Sequence, residues 1–159
     1  MPNKIFLDCN IFIDTLIDEN SLKDYGNIGR EVEIIKASKK CIKNYIIDGY
    51  KLAICSLTLA NAFYTFTRRH KTENNEFFAK ILSKFESSEL YEIITDTSDL
   101  RNKAWQYAIK NGSDYEDALQ YFCAKEHNCN AIITNDKDFP KLDIALIRTD
   151  PEQKNYEPK

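Results

Sequence analysis

The sequence predicts an α/β protein, a three-layer sandwich in which helices cover both faces of a central parallel sheet of four to five strands. Short apolar runs with the length of strands alternate with longer segments whose apolar residues recur at helical spacing. This alternation is typical of parallel sheets, because each helix returns the chain to the end of the sheet where the next strand begins. The 159 residues, 43% of them hydrophobic, suffice for one folded domain with a core.

Five apolar runs are predicted to form strands, at residues 4–7, 52–55, 91–94, 131–134 and 145–147. Helices are predicted between them, at residues 10–18, 30–48, 56–70, 74–87 and 98–111, and a sixth begins near residue 114. Gly49 and Gly112 are expected to end two of these helices, and residues 19–29 to form a loop. The single domain is predicted to cover residues 1–150, followed by a polar, frayed C-terminal tail at residues 151–159.

Composition narrows the functional classes. A net charge of −3 speaks against nucleic-acid binding through bulk electrostatics alone, so local patches or a bound cation would be required. Five cysteines without a C-x-x-C spacing indicate neither a disulfide framework nor a zinc knuckle, and two histidines do not favour a histidine-rich metal site. No apolar run has the ~18 residues of a membrane helix and no signal peptide is recognisable, which predicts a cytoplasmic protein without a membrane partner.

Acidic residues concentrate in residues 113–140. Ser113 and Glu116 have the spacing of a capping box, in which each side chain accepts a hydrogen bond from a free backbone N–H at the helix start. Acidic residues in a first turn are also favoured by the helix dipole. We therefore interpret Glu116 as a capping residue and Asp114 as a capping or solvent-exposed residue. Asp117 remains as the site candidate of this helix.

Asp117 has two potential partners elsewhere in the chain. Asp8 directly follows the first predicted strand, and Asp136 follows the fourth, at the strand ends where open α/β sheets bind ligands. Three carboxylates brought together repel one another unless they are protonated or neutralised by a cation. Oxygen ligands of this kind suit Mg²⁺ or Mn²⁺.

Polar residues near these acids allow two interpretations each. Asn10 either braces the Asp8 carboxylate or caps the first helix. Asn61 is either a core polar group satisfied by the backbone or a fourth oxygen of the acidic site. Arg68 and Arg69, at the end of the third helix, either complement the helix dipole or contact phosphate.

Three pieces of the chain, in this order, resemble the PIN-domain proteins, the nuclease fold of VapC-type toxins. The pieces are LDCNIFID, ICSLTLANAFY and YEDALQYFCAKEHNCNAIITNDKDF, and together they span nearly the whole length. No piece is specific alone, but the ordered set is. The resemblance implies a PIN-like fold and a metal-dependent ribonuclease, with Asp8 as the first acid and Asp117 as the third. Asp136, with Asp138, takes the last acidic position, and Thr134 is the hydroxyl residue that precedes it.

One residue departs from the family pattern. Relatives carry a glutamate in the helix after the second strand, where this chain has Asn61. An amide oxygen can hold an ion or water but supplies no negative charge and takes no proton, which puts metal affinity and turnover in question. We interpret the predicted acidic site as a variant of the family's site rather than an inactive one.

The resemblance also implies a mechanism and partners. One or two Mg²⁺ or Mn²⁺ ions held by Asp8, Asp117 and Asp136 would promote hydrolysis of RNA phosphodiester bonds within the chain. Residues expected to orient the ligands or the water are Asn10, Thr134 and Asp138. Arg68 and Arg69 are expected to guide the RNA backbone. A small antitoxin and a homodimer are the expected protein partners, as in a type II toxin-antitoxin pair. The alternative is a catalytically weakened PIN-fold module that binds RNA or protein.

Overall fold

The computed structural model describes residues 3–17, 29–70 and 75–159, without the side chains of residues 29, 30, 66, 69 and 70. The loop predicted at residues 19–29 therefore lies almost entirely outside the described residues. In the part of the chain that is described, no helix combines the length and the apolarity that crossing a membrane requires.

A five-stranded parallel sheet forms the centre of the described structure. In chain order, the strands are β1 (Lys4–Leu7), β2 (Lys51–Cys55), β3 (Tyr91–Ile94), β4 (Ala131–Ile133) and β5 (Ala145–Ile147). Their spatial order is β3-β2-β1-β4-β5, and every neighbouring pair is parallel. The predicted fold class is confirmed, and the predicted strand ends agree to within one residue. The chain moves outward from β1 to β3 and then crosses to the other side at β4, which makes the β1–β4 boundary the switch point of the sheet.

Six helices connect these strands in the described residues. They are α1 (Cys9–Leu16), α2 (Gly29–Ile47), α3 (Ser56–His70), α4 (Asn75–Ser87), α5 (Ser98–Asn111) and α6 (Tyr115–Glu126). Gly49 and Gly112 follow α2 and α5 with φ of +86° and +62°, a conformation that costs glycine little because it has no Cβ.

The sheet is buried on both faces, which explains why its strands are almost continuously apolar. Successive residues point to opposite faces, so Phe6 packs with Leu119 and Tyr121 of α6, whereas Ile5 and Leu7 pack with residues of α1, α2 and α4. The result is the three-layer sandwich that the sequence predicts, with the strand ends free to carry polar residues.

The C-terminal tail is ordered, so the prediction that it is frayed is wrong. Tyr156 exchanges two backbone hydrogen bonds of 2.9 Å with Leu146 of β5. Its hydroxyl donates to the carbonyl of Leu142 at 2.6 Å, and Gln153 donates to the carbonyl of Asn135 at 2.7 Å. The tail thus occupies hydrogen-bonding groups at the open side of the edge strand, which the polar composition of the tail does not reveal.

Candidate active site

A pocket of about 520 Å³ opens at the carboxyl end of β1, beside the start of α6 and the loop after β4. Its lining includes Asn10, Asn61 and six carboxylates. The carboxylates are those of Asp8, Asp114, Glu116, Asp117, Asp136 and Asp138. Among the described residues, no lysine or arginine lines this acidic pocket. The site is therefore strongly negative, at the switch point where parallel sheets bind ligands.

Asp8 lies at the bottom of this pocket and is only 3% exposed. It is the N-cap of α1, and its two oxygens accept hydrogen bonds from the backbone N–H of Cys9, at 2.6 Å, and from the hydroxyl of Thr134, at 2.7 Å. Burial raises the pKa of Asp8, while these hydrogen bonds act in the opposite direction. Because Asp8 caps the helix itself, the interpretation of Asn10 as the cap is wrong. Asn10 is an exposed residue of the first turn that lines the pocket, and its bracing of the Asp8 carboxylate stays a prediction.

Asp117 lies in the first turn of α6 and faces Asp136. Its burial, a hydrogen bond shared with Asp136 and the negative charge of Asp8 together raise the pKa of Asp117 from 3.8 to about 8. Asp117 therefore holds its proton at neutral pH, which relieves its repulsion with the neighbouring acids. A divalent cation would relieve the same repulsion.

The start of α6 differs from the predicted capping box. Asp114 is the N-cap, and its Oδ1 accepts hydrogen bonds from the backbone N–H groups of Glu116, at 2.9 Å, and Asp117, at 3.1 Å. This confirms the capping interpretation of Asp114. Ser113 precedes the cap, and its buried hydroxyl has no hydrogen-bond partner in the described structure. Glu116 is not a capping residue, because its Oε2 accepts a hydrogen bond from Nδ2 of Asn61, at 2.9 Å.

The loop after β4 holds Asp136 through local hydrogen bonds. The hydroxyl of Thr134 accepts the N–H of Asp136 at 3.1 Å while it donates to Asp8, so it links the two acids. Oδ1 of Asp136 in turn accepts the N–H of Asp138 at 2.9 Å. Asp138 is exposed and lies at the rim of the pocket.

Two residues that the sequence reasoning missed support this arrangement. Arg148, just after β5, donates from Nη1 to the carbonyls of Thr134, at 2.8 Å, and Asp136, at 2.5 Å, and its charge attracts Asp136 and Asp8. Gln120 is buried one turn after Asp117 and accepts the N–H of Cys9 at 3.0 Å. The i, i+3 spacing from Asp117 could have identified Gln120, whereas no local signal marks Arg148.

Of the two basic candidates, the structure describes the side chain of Arg68 only, and Arg68 is not part of the pocket lining. Arg68 is exposed on α3 and donates to the hydroxyl of Tyr64 at 3.5 Å, and Tyr64 itself lines the pocket. The side chain of Arg69 lies outside those that the structure describes. The contact of either residue with phosphate therefore stays a prediction.

The donor chemistry of the pocket fits a hard divalent cation. The groups that line it are mostly carboxylate oxygens, the type of ligand that Mg²⁺ and Mn²⁺ prefer. Within the described ranges, no group of three or more Asp, Glu, His or Cys side chains is positioned to hold a metal ion. A bound ion would therefore require the carboxylates to rotate toward it and Asp117 to lose its proton.

The fold and the pocket together define an α/β protein with an acidic site at the switch point of a parallel sheet. The PIN domain family model matches residues 5–145, and the chain belongs to this family. The resemblance inferred from the sequence is thus confirmed. Ribonuclease VapC1 of Aquifex aeolicus (strain VF5) is 28% identical over 149 residues, which cover 92% of this chain and 91% of that protein.

Three solved structures share the fold. VapC20 of Mycobacterium tuberculosis, described as a sarcin-ricin loop cleaving toxin, has a TM-score of 0.61 at 14% identity, covering 85% of this chain and 92% of that one. A toxin-antitoxin complex from Klebsiella pneumoniae has a TM-score of 0.58 at 16% identity, with 85% and 89% covered. VapBC2 from Rickettsia felis, bound to a DNA fragment of its promoter, has a TM-score of 0.56 at 18% identity, with 91% and 98% covered.

Proposed function

We propose that this protein is a divalent-metal-dependent endoribonuclease that hydrolyses RNA phosphodiester bonds. The observation that carries the proposal is the position of Asp8, Asp117 and Asp136 in one pocket, where burial and the neighbouring acids raise the pKa of Asp117. Further support comes from the relatives, one of which is named a ribonuclease and another a toxin that cleaves the sarcin-ricin loop.

Asp8, Asp117 and Asp136 would hold Mg²⁺ or Mn²⁺. The bound ion supplies positive charge beside the scissile phosphate and acidifies water. Thr134 holds Asp8 and the backbone of Asp136 close to each other through its two hydrogen bonds. Asp138 and Asn10, at the exposed rim, would orient water or ligands.

The charge of the pocket sets a condition for substrate binding. Carboxylates repel RNA phosphates, and a net charge of −3 gives no general attraction. Cation binding would therefore have to precede or accompany RNA binding. Arg68 and Arg69 on α3 are proposed to contact the RNA backbone outside the pocket.

We further propose that the protein is the toxin of a type II toxin-antitoxin pair, acts in the cytoplasm and forms a homodimer. Support comes from the solved relatives, which include a toxin-antitoxin complex and VapBC2. A small protein encoded in the adjacent reading frame that co-purifies with this chain and inhibits RNA cleavage would be the expected antitoxin. Absence of any such inhibitor would contradict the toxin assignment and leave the nuclease assignment in place.

Cleavage of RNA by the purified protein tests the enzymatic proposal. We expect cleavage with Mg²⁺ or Mn²⁺, none with chelator, and a loss of at least about 100-fold in Asp8→Asn and Asp117→Asn. Asp99→Asn is the matched control, because Asp99 is an exposed carboxylate on α5 that pairs with Lys103. If the protein binds RNA or a protein partner but cleaves no RNA with any of these ions, the weakened binding module is the better description.

A further inference from the structure

We propose that Glu116, held by Asn61, supplies from α6 the carboxylate that α3 lacks at position 61. This inference rests on the proposed function and specifies the charge of its cation site. Asn61 is then a positioning residue, and Glu116 is the fourth acidic group that acts on the cation with Asp8, Asp117 and Asp136.

The contact between the two residues joins distant parts of the chain. Nδ2 of Asn61 donates to Oε2 of Glu116 at 2.9 Å, although 55 residues separate them. Both side chains line the acidic pocket, as do Asp136 and Asp138. This hydrogen bond therefore favours a position of the Glu116 carboxylate beside Asn61, in the same pocket as the other acids.

No other role in the described structure accounts for Glu116. Asp114 is the N-cap of α6, which leaves Glu116 without a capping function. None of the ion pairs found among the described residues includes Glu116, although several exposed acids pair with lysines. Its negative charge is therefore offset by no cationic side chain in that part of the chain.

The chemistry of the contact explains why an amide suits position 61. A carboxylate has only acceptor oxygens, so the donor nitrogen of Asn61 must face Glu116 and its carbonyl oxygen must face away. A glutamate at position 61 would instead bring two like charges into contact, which is unfavourable without a cation between them. With Asn61, the pocket keeps one carboxylate at this place and gains a hydrogen bond that orients it.

Exchanging the amide at position 61 and the carboxylate at position 116 tests the inference. The quantity measured is the affinity for Mn²⁺ in the absence of RNA, by titration calorimetry or electron paramagnetic resonance. Glu116→Gln keeps an oxygen that can accept the hydrogen bond from Asn61 but removes the charge. We expect Mn²⁺ binding to weaken about 10- to 100-fold. The double variant Asn61→Glu, Glu116→Gln returns one carboxylate and one amide to the pair, and we expect its affinity to recover to within about threefold of the wild type.

Control variants separate a local charge effect from a general one. Glu126→Gln removes the same type of charge at the far end of α6, where Glu126 pairs with Lys103, and it should leave Mn²⁺ affinity unchanged. Asn61→Ala keeps the negative charge of Glu116 but removes the hydrogen bond that positions it. We expect this variant to lose less Mn²⁺ affinity than Glu116→Gln. Glu116 is exposed, so thermal unfolding of Glu116→Gln should match the wild type.

The possible results distinguish this inference from the proposed function. If the wild type binds Mn²⁺, Asp117→Asn does not, and Glu116→Gln binds as well as the wild type, the role of Glu116 is refuted and the metal site stands. The role of Glu116 is also refuted if the double variant binds Mn²⁺ as weakly as Glu116→Gln. A carboxylate at position 61 would then be unable to replace the one at position 116. A wild type that binds no Mn²⁺ would refute both proposals.

Discussion

Replacement of Asp117 by asparagine should stabilise the protein when no divalent cation is present. Asp117 is buried and its pKa is raised from 3.8 to about 8, so at neutral pH the folded protein keeps a proton that the unfolded chain releases. Asparagine has nearly the same shape, is always neutral, and its amide can donate the hydrogen bond that the protonated carboxyl donates. The variant therefore avoids the cost of protonating a carboxyl group in the folded state.

The sign and size of the effect follow from the two pKa values. The raised pKa of Asp117 imposes no penalty below pH 3.8, and stability is lost as the pH rises from there to about 8. Each pKa unit corresponds to about 1.4 kcal/mol, so the roughly three units between 3.8 and neutral pH correspond to about 4 kcal/mol. Relaxation of neighbouring carboxylates and entry of water into the open pocket reduce this, and we expect on the order of 2 kcal/mol.

Urea unfolding in chelator at pH 5 to 9 measures the effect. The free energy of unfolding of the wild type should fall with pH relative to that of Asp117→Asn, while Asp99→Asn should follow the wild type. Addition of Mn²⁺ at pH 8 should raise the stability of the wild type but not that of Asp117→Asn. Parallel pH profiles for the wild type and Asp117→Asn, or a variant less stable than the wild type at pH 8, would refute the raised pKa of Asp117.

Two further variants test the parts of the structure around the site. Arg148→Met should lower the free energy of unfolding by about 2–3 kcal/mol, because the carbonyls of Thr134 and Asp136 lose a charged donor. Urea unfolding measures this loss, and a stability equal to that of the exposed control Lys154→Met would contradict it. Removal of residues 151–159 should cost about 2–4 kcal/mol, since it breaks the two backbone bonds to Leu146 and the hydroxyl bond of Tyr156. An unchanged unfolding midpoint would mean that the tail contributes nothing.

Much of the fold could be predicted because its signals are local. Apolar runs of strand length, helical spacing and the two helix-ending glycines depend on neighbouring residues only, and the strand ends agree to within one residue. The placement of Asp8 and Asp136 could also be predicted. Each follows a strand closely, and the carboxyl ends of adjacent parallel strands meet at one edge of the sheet.

The sequence by itself thus determined the sheet, its helices and the acids at the strand ends, because periodicity and strand direction are properties of consecutive residues. Only the tertiary structure decided that Glu116 binds Asn61, that Gln120 accepts the N–H of Cys9, and that Arg148 holds the loop of Asp136. These contacts join separate helices and strands whose separation is set by packing of the core. A pattern read along one segment carries no information about such distances.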